Sequence, residues 1–202
     1  MDISQFKALF ENRLAEWIAY KRDYIIGLPV APTVQALLLH GLDLIKSDGK
    51  RIRPYMTYLT YQMHGGADQK DILQLGLVLE LLHVFCLVHD DWMDHGTERR
   101  GVQTAQHFMK NYFASQKRIG DLEHAANSQA VLLGDLIFGW VYQELDQLPA
   151  NQHLKCYFHT LIDDVVLGQM TDIDVTTCPE TTMAILKQKM LLKTASYTFI
   201  RP

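Results

Sequence analysis

The stretch ELLHVFCLVHDDWMDHGTERRG, from Glu80 to Gly101, organises the rest of the chain. Its apolar first part ends in three carboxylates, Asp90, Asp91 and Asp94. At about 100° per residue, Asp90 and Asp94 lie about 40° apart around a helix, and Asp91 lies about 60° from Asp94. The spacing therefore predicts that all three carboxylates share one helical face.

This acidic face predicts a magnesium site. Crowded carboxylates repel each other and protonate in part unless a cation neutralises them, and an all-oxygen set suits Mg²⁺, which commonly bridges carboxylates to phosphates. Arg99 and Arg100 follow within a few residues, and planar guanidinium groups match phosphate oxygens. A solvated acidic helix end is the alternative for the acidic motif alone, but the arginines favour a diphosphate pocket.

A second charged motif, Gly49 to Pro54 (GKRIRP), places Lys50, Arg51 and Arg53 at a predicted helix start. The free N–H groups of a helix start add to the positive potential there. A solvated basic turn is the alternative for these residues alone. In combination with the acidic motif, an anion-binding site is favoured.

Composition limits the function classes. The 202 residues are 48% hydrophobic and predict one domain with a real core, and 19 basic against 23 acidic residues argue against nucleic-acid binding. Three cysteines without a C-x-x-C pattern (Cys86, Cys156 and Cys178) indicate reduced thiols in a cytoplasmic protein. We expect neither a secretory signal nor a membrane span, because we find no run of about 18 apolar residues.

Apolar spacing and break residues predict an all-α fold without strands. The expected helices cover about 3–22, 33–47, 54–64, 67–93, 103–117, 120–146, 151–170 and 180 to the end. Small residues in the segment 120–146 should let another helix approach closely.

Six motifs stand in a fixed order: GKRIRP at 49–54, E-x-x-H at 80–83, HDDWMD at 89–94, RRG at 99–101, GQMTD at 168–172 and KTASYTF at 193–199. Together they resemble the trans-type isoprenyl diphosphate synthases, or polyprenyl synthetases. The resemblance implies a helical bundle around a central cavity, usually in a homodimer. It implies Mg²⁺-dependent condensation of an allylic diphosphate with isopentenyl diphosphate.

By motif position, the resemblance implies the role of each site residue. The Mg²⁺ ions that hold the allylic diphosphate would be bound by Asp90, Asp91, Asp94 and Asp172. The same diphosphate would be neutralised by Arg99 and Lys193, with Gln169 and Thr194 contacting the substrate. Isopentenyl diphosphate would be held by Lys50, Arg53, His83 and Arg100.

The chemistry explains this composition. Diphosphate leaves only if its developing charge is stabilised, which metal ions and cationic side chains do. The resulting carbocation is attacked by the double bond of the second substrate at close range. The resemblance implies that the departing pyrophosphate takes the last proton. The double bond of the second substrate is the nucleophile, so no protein nucleophile is needed.

Product length follows from residues beneath the first aspartate. Phe85 lies five residues before Asp90, about 7.5 Å down the helix axis, and Cys86 follows it. In the family a bulky aromatic at this depth acts as a floor, and one aromatic beside a smaller residue resembles the geranylgeranyl pattern, with farnesyl close behind. The alternative is that Phe85 is an ordinary core residue.

The resemblance also expects a second aspartate-rich motif on a later helix, which residues 1–202 lack. We therefore expect residues 1–202 to be one incomplete domain without its C-terminal helices, inactive by itself. A piece of a full synthase is the favoured explanation. A sequence covering only an ordered part, or a natural non-catalytic partner, are the others.

Three rival functions remain. A class I terpene cyclase shares the helical bundle, but it binds one diphosphate and does not need the basic motif. An HD-type phosphohydrolase, suggested by His89 and Asp90, would require further histidines. A regulatory subunit of a synthase would have no need of the motifs.

Overall fold

The computed structural model describes residues 1–149 and 152–201. The α-helices of these residues are α1 Ile3–Ile26, α2 Pro32–Lys46, α3 Ile52–Met63, α4 Gln69–Met93, α5 Ala105–Ser115, α6 Leu122–Leu145, α7 Gln152–Thr177 and α8 Met183–Met190. A π-helix, Leu191–Ile200, continues directly from α8. The all-α prediction is confirmed, although α7 runs past the predicted end at 170, and the predicted helix start at 151 lies outside the described residues.

The expectation of no strands is wrong at one short hairpin. Strands β1 (Glu98–Arg99) and β2 (Val102–Gln103) pair in antiparallel register. Arg100 and Gly101 between them have φ of 54° and 78°. Two positive φ values are what a type I′ two-residue turn requires. The turn therefore determines that a hairpin forms here. Strands of two residues are too short to show an alternating apolar pattern in the sequence.

Helix α4 is the central element, and the other helices pack around it. Leu77, Leu81 and Leu82 are almost fully buried, and side chains are buried on every face of the helix. By length and mean hydropathy α4 could cross a membrane, although Gln74, Glu80 and His83 interrupt its apolar sequence. However, 67% of that apolar window is buried inside the protein, as in the core helix of a globular domain.

A small residue on α6 lets α4 approach, as the sequence predicts, and a glycine on α2 lets α2 approach α6. A Cβ on Gly134 would lie 2.2 Å from the His89 ring of α4, and one on Gly41 of α2 would lie 2.9 Å from Leu133 of α6. This packing fixes the C-terminal half of α4, which carries the aspartates.

Candidate active site

Cationic side chains from three elements line a pocket of about 460 Å³, which we call the basic pocket. The structure brings together here the four residues predicted to hold isopentenyl diphosphate: Lys50, Arg53, His83 and Arg100. Burial lowers the pKa of Arg100, and the positive charges of neighbouring arginines lower it further, against the opposing effect of Glu80. Crowded cations of this kind are stabilised by a bound anion.

His83 is neutral within this pocket. Burial, followed by the charges of Arg53 and Arg100, lowers the pKa of His83 to about 2. Arg100 donates to His83 Nε2 at 3.4 Å, so Nδ1 carries the hydrogen and donates to the Tyr197 hydroxyl oxygen at 3.2 Å. In this state His83 orients its neighbours and adds no positive charge.

Arg51, which the sequence places in the same cationic group, has a structural role instead. Its side chain is 1% exposed and pairs with Glu11 at 2.7 Å and with Glu80 at 2.5 Å. It also donates to the Ser47 carbonyl at 3.1 Å. The hydrogen-bond donors of the guanidinium are therefore occupied by protein groups, and Glu80, the glutamate of E-x-x-H, holds it in place.

The acidic motif lies at the end of α4, and its carboxylates differ in burial and in partners. Asp91 is buried and receives two donors of Arg99, from Nε at 2.8 Å and from Nη2 at 2.5 Å. Asp94 is exposed and caps the helix. Within residues 1–149 and 152–201, no three His, Cys, Asp or Glu side chains group as a metal site. The binding of a metal ion by these three carboxylates therefore stays a prediction.

Asp90 instead faces Asp172 on α7, with one lysine between them. Lys193 Nζ lies 2.9 Å from Asp90 Oδ1 and 2.5 Å from Asp172 Oδ2. Burial lowers the pKa of Lys193, but the hydrogen bonds to Asp172 and Asp90 outweigh it and raise the pKa, so the amine stays charged. Two carboxylates that hold a cation between them have the oxygen donors that suit Mg²⁺. These donors fit the expected ion, whereas the full predicted ligand set remains a prediction.

Beneath Asp90 an apolar cavity of about 200 Å³ opens between α4, α7 and the π-helix. Phe85, Cys86 and Gln169 line it, as the sequence predicts. The Phe85 ring stacks on Phe138 with centroids 4.7 Å apart. Burial raises the pKa of Cys86 to about 12, so its thiol is protonated and acts as an apolar surface. Thr194 is exposed and does not line this cavity.

The sequence pattern of the polyprenyl synthetase family matches residues 35–202. The chain belongs to this family. It is 30% identical over 167 residues to a geranylgeranyl diphosphate synthase of Sulfolobus acidocaldarius, covering 82% of this chain and 46% of that protein. It is 31% identical over 137 residues to a short chain isoprenyl diphosphate synthase of Methanocaldococcus jannaschii, covering 65% of this chain and 36% of that protein.

Solved structures show the same fold. A geranylgeranyl pyrophosphate synthase of Corynebacterium glutamicum, complexed with isoprenyl diphosphate and magnesium, superposes with a TM-score of 0.86 at 24% identity, covering 100% of this chain and 58% of that one. A geranyltranstransferase of Thermotoga maritima gives 0.70 at 19% identity, covering 96% and 64%. The chain spans between a third and a half of the length of the two curated relatives above.

In this member of the family, Tyr197 lies at the candidate site, although the sequence did not single it out. Its ring lines the apolar cavity, its hydroxyl bonds His83, and the Arg53 guanidinium carbon lies 4.1 Å from its ring centroid. Tyr197 therefore forms the wall between the apolar cavity and the basic pocket. Its position in the KTASYTF motif, four residues after Lys193, was the available signal.

Gly168 explains how the π-helix of this family member reaches the site. A Cβ at Gly168 would lie 2.3 Å from the Lys193 backbone nitrogen and 2.7 Å from its Cα. Only glycine allows two backbones to pack this closely. The first residue of the GQMTD motif thus positions Lys193 opposite Asp90.

Proposed function

We propose that this site condenses isopentenyl diphosphate with an allylic diphosphate, using Mg²⁺, to form geranylgeranyl or farnesyl diphosphate in isoprenoid biosynthesis. One observation carries the proposal: a basic pocket and an apolar cavity with charged residues at its mouth lie on the two sides of Tyr197. Two separate anion sites suit two diphosphate substrates. A terpene cyclase, which binds one, would not use the basic pocket.

In the basic pocket, Arg53 and Arg100 are placed to donate to the diphosphate of isopentenyl diphosphate, with Lys50 at the exposed rim. Charge-assisted hydrogen bonds of this kind are about twice as strong as neutral ones. Because the diphosphate of isopentenyl diphosphate does not leave in the reaction, the task of these residues is to hold the double bond towards the allylic carbon.

At the mouth of the apolar cavity, Lys193 and Arg99 are placed to receive the allylic diphosphate. When bound, Mg²⁺ supplies positive charge that stabilises the departing diphosphate, and Asp90, Asp91, Asp94 and Asp172 are the proposed ligands. The side chains of the cavity exclude water from the allylic cation, since most of its lining is apolar.

Chain length is proposed to be limited by Phe85 and Cys86. Both line the apolar cavity directly below Asp90. Phe138 stacks behind Phe85, and the His89 ring meets Phe85 edge-on with the two ring centroids 4.8 Å apart. The Phe85 ring is therefore held on two sides. A ring held in this way can stop a growing prenyl chain.

We further propose a homodimer in the cytoplasm. Leu132 is 60% and Leu136 is 40% exposed on the outer face of α6. Exposed leucines on one helix face favour a partner surface. Sedimentation of the purified chain at several concentrations tests this, and a monomer at all concentrations would contradict it.

Binding of isopentenyl diphosphate tests the function most directly. Titration calorimetry with the 202-residue chain should detect binding, and Arg100→Gln should weaken it at least ten-fold, since a hydrogen bond to a charged group contributes about 1.5–3 kcal/mol. The matched control is Arg22→Gln, about 22 Å along α1 from Lys7 of the pocket, which should change nothing. Failure of the wild type to bind would overturn the proposal.

Product analysis with labelled isopentenyl diphosphate and an allylic primer is the second arm. The sequence predicts that residues 1–202 alone do not elongate the primer. A longer prenyl diphosphate formed by this chain would establish the reaction and contradict the predicted inactivity.

A further inference from the structure

Two lysines neutralise Asp172 in this structure, and one of them also neutralises Asp90. Lys193 Nζ bridges Asp90 Oδ1 and Asp172 Oδ2, while Lys189 contacts the other oxygen of Asp172. The side chains of Asp90, Asp172 and Lys193 are 19%, 22% and 27% exposed, so water screens this contact only in part. The ammonium of Lys193 therefore fills the gap between the two carboxylates.

A metal ion would need the same oxygen atoms. Mg²⁺ binds carboxylate oxygens at about 2.0–2.1 Å with near-octahedral geometry. An ion bound to Asp90 Oδ1 or Asp172 Oδ2 would lie in contact with the ammonium, and the two positive charges would repel each other. The gap can hold one of these cations at a time.

Only the side chain of Lys193 is free to leave. Its backbone is held against Gly168, because a Cβ there would already lie 2.3 Å from Lys193 N. Lys193 can therefore exchange partners by rotating its four-carbon stem, without displacement of the π-helix. Lys189 can stay on Asp172 and keep that carboxylate in position.

We propose that the Lys193 ammonium and a divalent cation are alternative occupants of the gap between Asp90 and Asp172. This rests on the proposed function, since the anion that draws Lys193 away is the allylic diphosphate. One lysine then serves two states: it holds the carboxylates together in the free protein, and it binds the diphosphate once the metal enters. Metal and diphosphate consequently bind together, and the free protein binds metal weakly.

The test measures Mn²⁺, an oxygen-binding ion with a paramagnetic signal, titrated into the 202-residue chain without any diphosphate. Lys193→Met removes the competing charge and should bind Mn²⁺ at least ten-fold more tightly than the wild type. Lys193→Arg keeps the charge and should bind as weakly as the wild type. The matched control is Lys187→Met on the same helical segment, which should leave Mn²⁺ affinity unchanged.

The double variant Lys193→Met/Asp172→Asn tests whether Mn²⁺ binds in this gap. The tighter Mn²⁺ binding of Lys193→Met should disappear when the gap loses a carboxylate. Equal or weaker Mn²⁺ binding by Lys193→Met would overturn the proposal. If circular dichroism shows that Lys193→Met is unfolded, Lys193→Gln replaces it with the same expected gain. Isopentenyl diphosphate binding in the basic pocket is measured separately, so failure here leaves the proposed function standing.

Discussion

Gly168→Ala provides a sharp test of the packing that builds the site. Alanine in a helix interior normally stabilises a protein by about 1 kcal/mol relative to glycine. At Gly168 the added Cβ would meet backbone atoms, 2.3 Å from Lys193 N and 2.8 Å from the Leu192 carbonyl carbon. Overpacking costs about 1–3 kcal/mol, and contact with two backbone atoms favours the upper part of that range.

The net expectation is a loss of about 1–2 kcal/mol in the free energy of unfolding, or roughly 2–8 °C in Tm for a chain of this size. Gly139 of α6 is the matched control, because a Cβ there has no neighbour within 4 Å. Gly139→Ala should stabilise the protein by about 1 kcal/mol. The two variants should therefore differ in sign.

Urea denaturation followed by circular dichroism measures both variants, with sedimentation to confirm that their oligomeric state is the same. Equal stabilisation by the two alanines would refute the close approach of α7 and the π-helix. Gly168→Ala should also separate Lys193 from Asp90, which predicts weaker allylic diphosphate binding. Gly139→Ala should leave that binding unchanged.

Three further outcomes are expected. Phe85→Ala should improve binding of an allylic diphosphate one isoprene unit longer by at least ten-fold, about 1.4 kcal/mol, measured by calorimetry; an unchanged preference would remove the floor assignment. Arg51→Met leaves Glu80 without its partner, and the Glu80 side chain is only 3% exposed. We expect a loss of about 3–5 kcal/mol in the free energy of unfolding, measured by urea denaturation. Lys50→Met is the control and should change this free energy by under about 0.5 kcal/mol. The pKa of His83 is lowered from 6.5 to about 2, so below about pH 6.5 the unfolded chain gains a proton that the folded chain does not, and the protein becomes less stable as the pH is lowered. His83→Gln should reduce this loss of stability by up to about 1.4 kcal/mol per pH unit between pH 6.5 and 5. An unchanged slope would contradict a buried neutral ring.

The sequence was sufficient for the helices and for most charged positions. The apolar character of a helix depends on its burial, and α4 is apolar along most of its length because side chains are buried on every face. The order of the motifs identified the two groups of cations. What periodicity could not show was the partner of each charge, since the pairing of Arg51 with Glu80 joins residues 29 positions apart.

Geometry that depends on a local departure from the α-helix was also beyond prediction. The π-helix differs from an α-helix by its hydrogen bonds, and no residue type specifies that register. Within this π-helix Tyr197 is buried and Thr194 is exposed. The three aspartates were placed on one face by ideal helix angles, and Asp94 still donates its backbone N–H to the Asp90 carbonyl at 2.8 Å, as a helical residue does.

Helix α4 sets the distance between the two proposed diphosphate sites. His83 and Asp90 are seven residues apart, which is about 10.5 Å along the axis and only about 20° around it. A single residue inserted between them would rotate one of the two residues by about 100° around the helix relative to the other. Under the proposed function, we therefore expect product size to change when side chains between these two residues, such as Phe85 and Cys86, are exchanged, and not when the helix is lengthened.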